Sequence, residues 1–137
     1  MNLELIKLLV NVALFILIWM VQLVIYPGFS YFEEKNLKQW HQRYTRNITL
    51  IVLPLMLGQL VLYGQGVFCR GVSIDWMILV LIGIIWAATF LISVPLHNKI
   101  QRLSNTALER KKLTQTNWIR TILWTLILII SLINYGK

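Results

Sequence analysis

Charge is scarce in this chain. Of 137 residues only 13% are Asp, Glu, Lys or Arg, against about 25% in an ordinary soluble domain. So little charge cannot coat a water-facing surface, which speaks against a soluble enzyme. Cysteine occurs once, at Cys69, so an internal disulfide and a Cys-based zinc site are both excluded. Five acids and two histidines are too few for a carboxylate-bridged di-iron core. The acids nearest the basic segments, Glu33, Glu34 and Glu109, read as loop residues, so no Ser-His-Asp arrangement is available. Asp75 is the sole candidate for a membrane carboxylate. It reads as a helix N-terminal residue at the edge, not as the deep carboxylate of a proton-coupled pump. Phosphate-loop glycine patterns, internal repeats and low-complexity stretches are also missing.

What the chain has in quantity is apolar surface. Hydrophobic residues make up 58% of it, six of them Trp, which excludes disorder. A spanning helix needs roughly 20 apolar residues, and four segments qualify or come close. Residues 8–26, 47–63 and 76–96 are uncharged; the second holds Pro54 and the third ends at Pro95. The fourth run, 121–135, is short, so its helix is expected to begin near Leu113, which puts Arg120 inside it close to one membrane face. Strands are excluded, because an open sheet cannot satisfy its backbone in lipid. The first run is expected to be a span and not a cleavable signal peptide. The expected fold is all-α: one integral membrane four-helix bundle over residues 1–137, spans about 8–26, 47–63, 76–96 and 117–135, with helices 2 and 4 extended beyond the lipid.

The basic residues are unevenly placed. Lys35, Lys38, Arg43 and Arg46 lie between the first two spans, and Lys99, Arg102, Arg110, Lys111, Lys112 and Arg120 between or beside the last two. The other side has only Lys7, Arg70 and Lys137. The positive-inside rule makes the crowded side cytoplasmic, with both termini outside, in an inner (cytoplasmic) membrane. These charges serve topology and contact with anionic membrane lipids. Nucleic acid is not an expected partner, since no aromatic-interleaved soluble module is present, and a homo-oligomer remains compatible with the pattern.

Helical projection at about 100° per residue gives each span one polar stripe. The stripes are Asn11, Phe15, Gln22 and Tyr26; His41, Tyr44, Ile48, Leu55 and Gln59; Asp75, Ile82, Trp86, Thr89, Ser93 and His97; and Asn117, Arg120, Thr121, Trp124, Leu128, Ser131 and Tyr135. Lipid penalises polar side chains, so all four should face inward. Asn11, Gln59, Thr89 and Ser131 read as helix–helix adhesion, and Trp40 and Trp118 as an interfacial aromatic belt. The cytoplasmic end is richer. Gln22, Tyr26, His41, Tyr44, Ser93 and His97 should gather there with Asn98, Asn117, Arg120, Thr121 and Trp124.

In that cluster Arg120 offers a fork of donors to a carbonyl, phenolate or carboxylate oxygen. Arg120 can also be read as snorkelling to the interface. His41 and His97, the candidate catalytic residues, titrate near neutrality and can move a proton. Asn117, Asn98, Gln22 and Thr121 add polar contacts, and Tyr26, Tyr44 and Trp124 can wall a flat apolar ligand. Two histidines on facing helices also suit heme b as axial ligands, with Arg43, Arg46 or Arg120 near the propionates. No other cofactor and no metal site is expected.

Several runs together resemble a known family. They are Gln22-Leu-Val-Ile-Tyr26-Pro27-Gly-Phe29, Trp40-His41-x-x-Tyr44-Thr45-Arg46, Pro54-Leu-Met56, Val94-Pro95-Leu-His97-Asn98-Lys99 and Asn117-Trp118-Ile-Arg120-Thr121. The chain is similar over nearly its whole length to the small four-helix bacterial membrane proteins related to the anthrone-oxygenase-like domain. The Pro95-x-x-Asn98 and Asn117-x-x-Arg120 pieces are the most specific. The resemblance implies oxidoreductase chemistry on an anthrone- or quinone-like substrate without a classical redox cofactor. Asn117 and Arg120 would then bind the substrate oxygen, and a histidine would take a proton from the activated carbon. His41 and His97 look typical of the bacterial subgroup and not of the oxygenases. Three expectations stand side by side: a membrane enzyme or binding protein for a lipid-soluble aromatic, a non-enzymatic accessory or structural subunit, and a heme-binding protein.

Overall fold

The computed structural model describes residues 2–135 and, of Arg70, the backbone alone. Lys137 and the Arg70 side chain therefore lie outside the described residues. Four helices, each long and apolar enough to cross a membrane, make up the fold: α1 (Leu3–Tyr31), α2 (Glu34–Arg70), α3 (Ser73–Arg102) and α4 (Ala107–Asn134). No strand occurs among the described residues. Each helix packs on the next, and α4 closes back on α1, forming a ring with a single interior.

Every helix is longer than its apolar run. Beyond the lipid, Lys, Arg, Glu and Gln are good helix formers in water, so nothing stops a helix where hydrophobicity ends. Thus α3 does not end at Pro95 but continues to Arg102, and α4 begins at Ala107, earlier than Leu113. Segments read as loops shrink to short connectors. Cys69 lies in the exposed last turn of α2. That helix stops at Gly71, whose φ of 65° a side chain would strain. Its N–H and that of Val72 bond back to the carbonyls of Val67 and Gly66.

Two of the three prolines leave a local mark. Proline supplies no N–H to the carbonyl four residues earlier and its ring crowds that carbonyl. Just before Pro27, α1 opens into a wider π-helical turn at Val21–Ile25, and just before Pro95, α3 does the same at Thr89–Ser93. Single π turns of this kind are often found at functional sites. Pro54 lies within α2 without such a turn.

The surface is inverted relative to a water-soluble protein. Ile16, Leu50, Val61, Val80, Leu91 and Ile129 are exposed, whereas Asn11, Gln22, Gln59, Asn117 and Thr121 are buried. The inward direction of the four stripes follows as expected, with one exception. Tyr135 is 45% exposed, because it lies one residue past the end of α4 and leaves the helical face. At the basic end the connectors are tied together. Glu34 accepts from Arg110 Nη2 at 3.0 Å and from the Thr106 backbone N–H at 3.1 Å, while Arg110 Nη1 donates to the Phe29 carbonyl at 2.8 Å.

Candidate functional site

The two widened turns flank a cavity of about 240 Å³ in the basic half of the bundle. All four helices contribute to its wall. Tyr26 comes from α1, Tyr44 from α2, Ser93 and His97 from α3, and Arg120 and Trp124 from α4. Leu17, Ile18, Val21, Ile48 and Val52 supply apolar lining. α2 packs against Ser73–Ala88 and again against Val94–Arg102, but makes little contact with Thr89–Ser93 between them. The cavity opens sideways in this gap, where Thr49, Val94 and Asn98 are exposed.

A continuous line of hydrogen bonds runs from the basic end past the cavity, which three of its members line. Gln101 Nε2 contacts His41 Nδ1. His41 Nε2 and His97 Nδ1 are 2.8 Å apart, and His97 Nε2 is 3.1 Å from the Tyr26 hydroxyl. That hydroxyl accepts from Arg120 Nη2 at 3.2 Å. Arg120 Nε donates to Asn117 Oδ1 at 3.0 Å, a bond that its Nη2 also makes. Asn117 Nδ2 donates to Gln22 Oε1 at 2.9 Å, and Gln22 Nε2 to the Thr114 carbonyl at 3.2 Å. Thr121 Oγ1 donates to Gln22 Oε1 at 3.3 Å. Residues as far apart in the chain as Gln22 and Thr121 thus belong to one network.

Each predicted site residue has a definite place in this arrangement. Tyr26, Tyr44, His97, Asn98, Arg120 and Trp124 line the cavity, Asn98 as an exposed residue at its rim. Asn117, Gln22 and Thr121 stand behind Arg120 and hold it. His41 is fully buried and reaches the cavity only through His97. It sits beneath the Phe29 ring, 5.5 Å between centroids, while Tyr44 stacks on Trp40. The Ser93 hydroxyl, on the cavity wall, has no hydrogen bond among the described residues.

Arg120 is 8% exposed and makes no ion pair among the described residues. Its partners are an amide oxygen and a phenol, both neutral. Its Nη1 has no partner among the described residues.

The two imidazoles do not fit as an axial pair for heme iron. Metal–nitrogen bonds are about 2 Å, so ligands on opposite sides of an iron are about 4 Å apart. Here the facing nitrogens are in direct hydrogen-bond contact at 2.8 Å.

The opposite half carries features that sequence reasoning did not pair. Lys7, counted only as a flanking charge, is 2% exposed and bonds Asp75 at 2.5 Å and Glu4 at 3.1 Å. Asp75 lies in the first turn of α3 and, as its place in the α3 stripe predicts, is 2% exposed and turned inward. Tyr63, absent from the α2 stripe although it is four residues past Gln59, accepts from Asn11 Nδ2 at 2.7 Å. Asn11 also donates to Ser131 and accepts from Gln59, whose Oε1 accepts from Trp124 Nε1 at 3.2 Å. The signal for Tyr63 was the i, i+4 spacing itself. No protein-family model, curated protein or solved structure matches the chain.

Proposed function

We propose that the chain is a membrane protein that takes a lipid-soluble aromatic compound, quinone- or anthrone-like, into the cavity between α2 and α3, and that it acts on it as an oxidoreductase. One observation carries this reading. Arg120 holds a buried positive charge on the cavity wall with no carboxylate to balance it among the described residues. An intramembrane cation of this kind is expensive and is ordinarily paired. Its Nη1 donors, without a partner among the described residues, suit a carbonyl or phenolate oxygen whose negative charge completes the pair. The volume, just under the roughly 300–1,000 Å³ of drug-sized pockets, suits a compact fused-ring ligand. The sideways mouth suits a compound that arrives dissolved in lipid.

The same reading agrees with the resemblance to the anthrone-oxygenase-like family, in which Asn117 and Arg120 would bind the substrate oxygen. We place the basic end in the cytoplasm on the positive-inside rule, so the cavity opens to the inner leaflet. A purely structural role accounts for the Lys7 half, where Asn11, Gln59, Tyr63 and Ser131 satisfy one another. It does not account for Arg120.

The test uses the full chain in lipid nanodiscs titrated with 1,4-naphthoquinone, followed by quenching of tryptophan fluorescence. Losing a hydrogen bond to a charged group costs about 1.5–3 kcal/mol. Arg120→Gln should therefore weaken binding at least about tenfold, tenfold being about 1.4 kcal/mol. Trp124→Phe should remove most of the quenching. Equal affinity in wild type and Arg120→Gln, or no saturable binding, overturns the proposal.

A further inference from the structure

His41 is buried away from the cavity, yet it is hydrogen-bonded in series with two residues that line it. We propose that His41, His97 and Tyr26 form a proton relay between the basic face of the bundle and the cavity, so that the bound compound is a weakly acidic phenol or enolisable aromatic ketone whose proton is exchanged on that face alone. This rests on the cavity being a ligand site.

The geometry supports it as follows. Arginine donates and never accepts, so one lone pair of the Tyr26 oxygen is taken by Arg120 Nη2 at 3.2 Å. In one polarity His97 Nε2–H donates to the other lone pair. The Tyr26 O–H then points to the cavity side, where the Tyr44 hydroxyl stands within hydrogen-bonding reach and a ligand anion can take its place. The bare His97 Nδ1 accepts from His41 Nε2–H at 2.8 Å, and the bare His41 Nδ1 faces Gln101. Gln101 is half-buried at the outer edge of the basic end. Its amide can present N–H to a bare Nδ1 or, turned over, C=O to an Nδ1–H.

The step balances without any redox partner. When the Gln101 side chain swings off His41 Nδ1, a proton from water joins that nitrogen, and the His41 Nε2 proton passes to His97 Nδ1. The His97 Nε2 proton passes to the Tyr26 oxygen as the Tyr26 proton joins the ligand anion. Both imidazoles end neutral in the opposite tautomer. Run backwards from those tautomers, the ligand's proton enters at Tyr26 and one leaves from His41 Nδ1. No carboxylate touches either imidazole among the described residues, so none traps the proton on the way. Arg120 and Tyr44, the other groups facing the pair from α4 and α2, are a fixed cation and a neutral phenol. In the opposite half a separate line runs through the Trp124 indole, Gln59 and Asn11. An indole N–H only donates, and carboxamides do not exchange tautomers as imidazole does. Proton traffic is therefore one-sided.

The probe is 2-tetralone, an enolisable two-ring ketone, bound to the full chain in nanodiscs in D2O under argon. Deuterium entry at its acidic methylene is read by mass spectrometry, with affinity measured in parallel. Wild type should accelerate exchange well above empty nanodiscs. His41→Gln should slow it at least about tenfold with affinity within about twofold, and Tyr26→Phe should slow it similarly. The His41→Gly variant should regain exchange when free imidazole is added, a response that a merely structural histidine would not give. Undiminished exchange in His41→Gln, a wild type that binds without accelerating exchange, or a His41→Gly variant that imidazole does not rescue each overturns the relay and leaves the cavity reading standing. Failure of wild type to bind 2-tetralone overturns both.

Discussion

Arg120 and Lys7 are both buried cations, but they are held in opposite ways. Lys7 has two carboxylates, and the contact with Asp75 is a closed ion pair between α1 and α3. Gly66 of α2 makes room for it: a Cβ there would stand 1.7 Å from Asp75 Oδ2 and 3.0 Å from Lys7 Nζ. Breaking a buried pair by removing one partner costs about 3–5 kcal/mol, whereas replacing both with apolar groups is often neutral. Lys7→Met or Asp75→Leu alone should lower the melting temperature in detergent sharply, and the double variant should recover most of the loss. Gly66→Ala should destabilise as a single-partner change does, since the carboxylate has to move. Three melting curves of equal midpoint would contradict the pairing. Arg120, held only by neutral groups, should instead tolerate Arg120→Gln in the melting assay while losing ligand.

At the scale of elements, the unusual devices are the π turns ahead of Pro27 and Pro95. Each adds a residue's width to one turn, and the residues that follow, Tyr26 and His97, come to face the cavity. Without the proline, an ordinary α-turn is free to form, and it would swing the following residues by up to about 100°. Pro95→Ala should therefore keep or raise the melting temperature, because helix propensity improves, while naphthoquinone binding falls at least about tenfold. A variant with unchanged binding would detach the turn from the site. Helix ends were the least legible part of the sequence. Hydropathy marks where lipid ends, not where hydrogen bonding does, so α3 and α4 proved longer than their apolar runs. The stripes were legible because lipid removes ambiguity: a buried Asn, Gln or Thr in a span has only one favourable direction.

For the molecule as a whole, the open question of sidedness has a direct measurement. Cys69 is exposed at the end of α2 near the Lys7 face, and it is the one cysteine of the chain. With the basic end in the cytoplasm, a membrane-impermeant maleimide should label Cys69 in intact cells. Labelling only after the membrane is permeabilised would reverse the orientation. The bundle closes as a ring around a polar axis, with apolar side chains outward.

The number of helices, their inward faces and the gathering of Arg120, Asn117, Gln22 and the histidines at one end could all be read from residue order, because helical periodicity and the penalty for polar groups in lipid act locally. Three things were decided only when the helices came together. Lys7 met Asp75 from 68 positions away, His41 lined up behind His97 instead of beside it, and the gap between α2 and α3 became a mouth. Each depends on how rods rotate and separate against one another, a long-range packing choice that no local pattern encodes.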